Sequence, residues 1–148
     1  MKTSTAYKIL VEKELIIEYY TGEVRAHDFI SLKERICKEP DYDFSFDTII
    51  DIRDAALAID ENDLSNILAF INIKFKDAAG RKSAYLTASP NDVVQTTMYA
   101  SLNEINNQLH MKMGTFSTVK AVSKWFGYNG TTTDLIESTI AQLKEKVK

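Results

Sequence analysis

The chain has 148 residues, of which 45% are apolar and 26% charged, a composition typical of one globular domain and not of a disordered or fibrous chain. The net charge of −3, with lysines and arginines scattered along the sequence, argues against the basic patch that phosphate-backbone binding requires, so we expect no nucleic-acid partner. The single Cys37 and the lack of a leader or of a long apolar run predict a soluble, cytoplasmic protein with no membrane partner.

The first part of the sequence predicts a hairpin followed by a helix. β-rich runs at residues 7–11 and 15–20 flank a short polar link, which favours an antiparallel pair of strands. Gly22 is expected to end the second strand. Apolar residues at helical spacing then predict a first helix over about 25–38, which Pro40 ends.

A third strand, a polar turn and a second helix are predicted next. The mostly apolar run at 46–52 predicts a strand, and the polar turn begins at Arg53. The second helix is expected to begin near Asp60, where carboxylates supply an N-cap and complement the helix dipole. Its apolar stripe, with the spacing of one helix face, consists of Leu64, Ile67, Leu68, Ile71 and Phe75. Phe70 and Ile73 widen this face, which predicts either deep burial or a partner site.

The second half of the sequence predicts two more strands and three helices. Strands are expected at 83–88 and 111–116, on either side of a helix that runs from the Ser89 cap to about residue 108. A short fourth helix begins at the Thr118 cap, and an amphipathic fifth helix occupies about 133–147. The apolar stripe of the fifth helix is expected either to pack on its own domain or to form a homodimer.

The order of the predicted elements, ββαβαβαβαα, indicates the fold class. Strands that alternate with helices of this length favour parallel pairing with right-handed crossovers, and the opening hairpin adds one antiparallel edge strand. We therefore predict an α/β fold with a mixed, mostly parallel five-stranded sheet. Residues 1–148 are expected to form a single domain with a core at about 7–128.

Three segments, in this order and spacing, resemble the SpoIIAA-like superfamily, which contains STAS domains and anti-sigma factor antagonists. They are residues 15–24 (LIIEYYTGEV), 48–54 (TIIDIRD) and 116–126 (FSTVKAVSKWF). The resemblance implies a bacterial regulatory domain whose partner is a kinase-type anti-sigma factor, met at the turn after the third strand. In that family a serine in this turn is phosphorylated.

Asp51 matches the acidic position of the family motif, but the residues that follow supply no hydroxyl group. The resemblance therefore implies a divergent member without the phosphorylatable serine. Asp54 is then expected either to hold a permanent negative charge in place of the phosphate or, together with Asp51, to cap the turn and pair with Arg53.

No common catalytic or metal-binding signature occurs in the sequence: it has no glycine-rich phosphate loop, no G-x-S-x-G elbow and no C-x-x-C pair. We therefore predict a non-enzymatic protein-interaction domain with no cofactor and no metal. The residues predicted to contact the partner are Asp51, Arg53, Asp54, Leu57, Phe70 and Ile73. The alternative prediction is a module that binds a small ligand or a lipid in a pocket between the sheet and the second and fourth helices.

Overall fold

The computed structural model describes residues 2–74, 80–97 and 112–148. In these ranges the chain forms five strands and five helices, and residues 90–97 are the described part of the third helix. In chain order the elements are β1 (Ser4–Leu10), β2 (Leu15–Val24), α1 (Ala26–Cys37), β3 (Asp47–Leu57), α2 (Glu61–Lys74), β4 (Lys82–Leu86), α3 (90–97), β5 (Lys112–Phe116), α4 (Val119–Phe126) and α5 (Gly130–Lys146).

The five strands form one sheet in the order β1-β2-β3-β4-β5. β1 pairs antiparallel with β2, and the other neighbours pair in parallel. This confirms the predicted α/β fold with a mixed sheet and one antiparallel edge strand. No helix among the described residues is long and apolar enough to cross a membrane.

The helices cover the two faces of the sheet unequally. Right-handed crossovers between strands that follow one another in the sheet place α1, α2 and α3 on the same face. A core of α1 and α2 side chains against Ile16, Tyr20 and Ile50 lies on that face. α4 and α5 follow the last strand and bury the opposite face, against Ile17 and Ile49.

The helix starts follow local signals in the sequence. Asp60 and Asp63 cap α2 reciprocally, since each carboxylate accepts the backbone N–H of the other residue at 2.8–3.0 Å. Four residues of the predicted α2 stripe are buried, and the fifth, Phe75, lies outside the described residues, as does the predicted continuation of α3 from 98 to 108. The Asn129 side chain caps α5, which begins at Gly130 rather than near 133.

The C-terminal helix packs on its own sheet. Ile136, Ile140 and Leu143 are at most 4% exposed within the core shared with β2 and β3. The prediction that this stripe packs on its own domain is confirmed. A homodimer through α5 stays a prediction, and it would have to use the outer face of the helix.

Two strands continue past their predicted ends. β2 does not end at Gly22 but continues to Val24. Gly22 has φ +87°, and a Cβ there would lie 2.2 Å from the carbonyl oxygen of Lys2, so glycine suits both the backbone conformation and the close approach of the N-terminal segment. β3 continues to Leu57, so the predicted polar turn at Arg53 does not exist.

Candidate functional site

A bulge in β3 replaces the predicted turn. The register between β2 and β3 shifts from Tyr19↔Asp51 to Thr21↔Asp54, so two steps on β2 face three steps on β3. Such a bulge takes one backbone N–H out of the hydrogen-bond ladder. The Asp51 carboxylate accepts the N–H of Arg53 at 3.0 Å, which allows the strand to continue past the irregularity.

Asp51 also holds the Arg53 side chain. Asp51 is fully buried, and its two oxygens accept hydrogen bonds from Arg53 Nε at 3.0 Å and Nη2 at 2.8 Å. This bidentate bond raises the pKa of the Arg53 guanidinium. The predicted pairing of Asp51 with Arg53 is confirmed, although at a bulge and not at a turn.

Asp54 lies beside this pair and is exposed. Its carboxylate accepts the Tyr19 hydroxyl at 2.6 Å, and Lys144 Nζ on α5 lies 3.4 Å away. The hydrogen bond from Tyr19 lowers the pKa of Asp54, and Lys144 and Arg53 lower it further, whereas partial burial opposes them. Asp54 therefore carries a negative charge at neutral pH, but whether it replaces a phosphate stays a prediction.

Replacing Tyr19 with phenylalanine is expected to raise the pKa of Asp54 towards the ordinary aspartate value of about 3.9, because the largest stabilising contact of the carboxylate is lost. The folded pKa of Asp54 is depressed in the native protein. Its ionisation therefore stabilises the fold above the ordinary aspartate pKa, and this contribution is lost as the pH falls through the folded pKa.

A carboxyl-carbon NMR titration of Asp54 measures this change. Tyr7→Phe is the matched control, because Tyr7 bonds to Glu39 and not to Asp54. If the Asp54 pKa is the same in Tyr19→Phe and in the native protein, the assigned role of the Tyr19 hydroxyl is wrong.

A groove of about 400 Å³ opens next to Arg53, between the bulge of β3, the start of α4 and the middle of α5. We call it the β3–α4–α5 groove. Its volume falls in the range of about 300–1,000 Å³ that is usual for binding pockets. It is lined by Arg53, Thr118, Val119, Lys120, Glu137, Ile140, Ala141 and Lys144. Val119 and Ile140 are buried and form an apolar base, while Lys120 and Glu137 are exposed at its rim.

The six residues predicted to contact a partner do not form one surface. Arg53 lines the groove and Asp54 lies beside it, with Asp51 buried behind them. The other three residues belong to the opposite face of the sheet: Leu57 and Phe70 pack in the core of α1 and α2, and Ile73 on α2 is 76% exposed. The cause is the length of β3, which carries Leu57 into the core instead of leaving it in a turn.

The sequence contained an unused signal for the groove. Glu137, Ile140, Ala141 and Lys144 recur at spacings of three, one and three residues, which places them on one face of α5. Their meeting with Arg53 depends on tertiary packing and has no local signal.

A buried ion pair on the opposite face was also missed. Glu18 is fully buried, Lys33 is 7% exposed, and the Lys33 ammonium donates to one Glu18 oxygen while the Tyr20 hydroxyl donates to the other at 2.8 Å. Burial lowers the pKa of Lys33, and Glu18 opposes this effect. Because both Glu18 oxygens are occupied within the core, we assign this pair to the fold and not to a binding site.

The cavities on the α1–α3 face bear on the alternative prediction of a ligand pocket. α2 and α4 lie on opposite faces of the sheet, so they do not enclose a common pocket, and that prediction is wrong in its placement. An apolar cavity does lie under α1, α2 and α3, but its volume is about 30 Å³, and its neighbour has about 20 Å³. A single water needs roughly 10–15 Å³ by this measure, so in this conformation neither cavity accommodates a lipid.

Within residues 2–74, 80–97 and 112–148, no three His, Cys, Asp or Glu side chains come together as possible metal ligands. The β3–α4–α5 groove joins apolar and charged side chains around a volume of about 400 Å³, and this arrangement suits non-covalent binding by apolar contact and charge.

No protein-family model and no curated protein matches the sequence. A comparison of structures finds the crystal structure of an uncharacterised protein of the DUF3478 family with a SpoIIAA-like fold, from Shewanella loihica PV-4. The two chains superpose with a TM-score of 0.55 at 11% sequence identity, over 84% of this chain and 95% of that one. At this identity the similarity establishes the fold alone. The chain therefore has a SpoIIAA-like fold, as its opening hairpin, third strand and late helix imply.

Proposed function

We propose that this chain is a non-enzymatic regulatory domain that binds a partner protein in the β3–α4–α5 groove. The proposal depends on one observation: the groove combines an apolar base, formed by Val119 and Ile140, with charged side chains at its edges. One of these charged side chains, Arg53, is held in place by the buried carboxylate of Asp51. Apolar contact supplies affinity in such a site, and oriented charges supply specificity.

The class of partner is taken from the resemblance of the sequence to the SpoIIAA-like superfamily. This resemblance implies that the partner is a kinase-type anti-sigma factor in the cytoplasm of a bacterium. Because Asp51, Arg53 and Asp54 continue a strand and none of them carries an alcohol group, binding here would not be switched by a phosphoserine at this position. The proposed contact with the partner is therefore constitutive with respect to phosphorylation at this position.

Ala141→Trp is expected to weaken partner binding by at least about tenfold, because a bulky, uncharged side chain would fill the groove. The partner is first identified by affinity purification and mass spectrometry, and the affinity is then measured by titration calorimetry. Ala141 is exposed on α5, so the free energy of unfolding should change by no more than about 0.5 kcal/mol.

Gln142→Trp is the matched control. Gln142 is the next residue on α5, is also exposed and does not line the groove, so the same bulk is added outside the site. Binding within about twofold of the native protein is expected for this variant. Equal affinities of the two variants for the purified partner would contradict the proposed site.

A further inference from the structure

The β3–α4–α5 groove is lined by more cationic than anionic side chains: Arg53, Lys120 and Lys144 are cationic, and Glu137 is anionic. Two of the cations are paired with carboxylates outside the lining, Arg53 with Asp51 and Lys144 with Asp54. With these carboxylates counted, the groove has no excess of positive charge. Its preference for a ligand therefore depends on the hydrogen-bond donors that the two pairs leave free and on Lys120.

The guanidinium of Arg53 is oriented for a further hydrogen-bond acceptor. Arginine has five N–H donors in a planar fork. Asp51 takes Nε–H and one Nη2–H, which fixes the plane of the group and leaves the Nη1 donors and the second Nη2–H unused by this pair. Asp51 is fully buried, and both of its carboxylate oxygens accept hydrogen bonds from Arg53. It therefore orients the guanidinium without occupying the groove.

The two lysines are available to the same acceptor. Lys120 has no ion pair within the part of the chain that the structure describes. Lys144 Nζ lies 3.4 Å from the Asp54 carboxylate, and Asp54 is not a lining residue. Asp54 also accepts a hydrogen bond from the Tyr19 hydroxyl at 2.6 Å, so it keeps a partner when Lys144 binds a ligand. Glu137 is the one carboxylate of the lining, and its charge acts on Arg53. A bound carboxylate is therefore held by the donors of Arg53 and the two lysines against repulsion from Glu137.

We infer that the β3–α4–α5 groove selects a partner segment that combines an acidic side chain with apolar neighbours. The carboxylate binds the free edge of the Arg53 fork and the ammonium groups of Lys120 and Lys144, and an apolar side chain rests on Val119 and Ile140. This inference rests on the proposed function and specifies the chemistry of the partner. Planar carboxylates suit a guanidinium held in one orientation.

Selection from a displayed library of random peptides tests the inference without knowledge of the natural partner. Peptides that bind the native protein and not Ala141→Trp are expected to be enriched in Asp and Glu over the starting library. A synthetic version of one such peptide, in which each Glu is replaced by Gln and each Asp by Asn, should bind at least about tenfold more weakly. Higher salt should weaken the acidic peptide more than its amide version.

A charge reversal inside the groove supplies the second measurement. Lys120→Glu should weaken the acidic peptide by at least about tenfold, whereas Lys124→Glu, an exposed position on the same helix outside the lining, should change it by less than about twofold. Groove-dependent peptides without acidic enrichment would overturn the inference and leave the groove as a binding site. If no selected peptide distinguishes Ala141→Trp from the native protein, the inference and the proposed function both fail.

Discussion

Replacing Lys33 with methionine is expected to lower the free energy of unfolding by about 3–5 kcal/mol, the cost of breaking a buried ion pair by removing one partner. Glu18 is fully buried and would keep the hydrogen bond from the Tyr20 hydroxyl but lose the one from the Lys33 ammonium. Methionine has a similar length and no charge, so the loss of packing is small and the unpaired carboxylate is the main penalty. Urea denaturation followed by circular dichroism measures the change.

The double variant Glu18→Gln/Lys33→Met is the control for this prediction. It removes both charges and keeps a side-chain oxygen that can accept the Tyr20 hydroxyl bond. Its stability is expected to return to within about 1–2 kcal/mol of the native protein, because removing both members of a buried ion pair is often close to neutral. A double variant as unstable as Lys33→Met alone would show that the cost comes from packing and not from an uncompensated charge.

The same pair shows what the sequence signals and what it hides. Lys33 lies in the apolar stripe of α1, and Glu18 lies between apolar residues at an inward-facing position of β2. Two residues of opposite charge at core-facing positions indicate an ion pair between them. This prediction can be made only if it is known that α1 lies over β2. That packing is tertiary, and it becomes predictable only after the order of the sheet and the hand of its crossovers are fixed.

Local signals predicted the element order well. The Asp60 cap is contained in a few consecutive residues and predicts where α2 begins. The Asn129 cap is also local, but residues 129–133 are predicted as a polar link, so the predicted start of α5 is near 133 instead of at Gly130. The end of β3 has no such signal. Asp54, Ala55 and Ala56 have low strand propensity, and they are extended because they pair with residues of β2 more than thirty positions earlier.

The candidate site was predictable only in part for the same reason. Arg53 and Asp54 were chosen because of their place in a presumed turn, and they do lie at or beside the groove. Leu57 is predicted on that same assumption, whereas Phe70 and Ile73 are predicted because they widen the apolar face of α2; all three belong to the other face of the sheet. The bulge thus decides the face on which Leu57 lies.

Asp51→Ala is expected to destabilise the protein by about 3 kcal/mol. Asp51 accepts one backbone and two guanidinium hydrogen bonds, and bonds to charged groups contribute about 1.5–3 kcal/mol each before the remaining groups find water. Arg53 is half-buried and regains some contact with solvent in the variant, so the loss of stability is smaller than the sum over the three hydrogen bonds. Asp54→Ala, at an exposed position of the same strand, should cost less than about 1 kcal/mol.

The pattern of hydrogen exchange identifies the role of Asp51 more specifically than stability alone. Asp51→Ala should speed exchange of the Arg53 amide, since its acceptor at 3.0 Å is removed, whereas Asp51→Asn keeps an oxygen there and should preserve much of the protection. Both variants lose the charge that orients the Arg53 fork. Both should therefore bind the selected acidic peptide more weakly, under conditions where they remain folded. Unchanged exchange of the Arg53 amide in Asp51→Ala would mean that the bulge is held by β2 pairing alone.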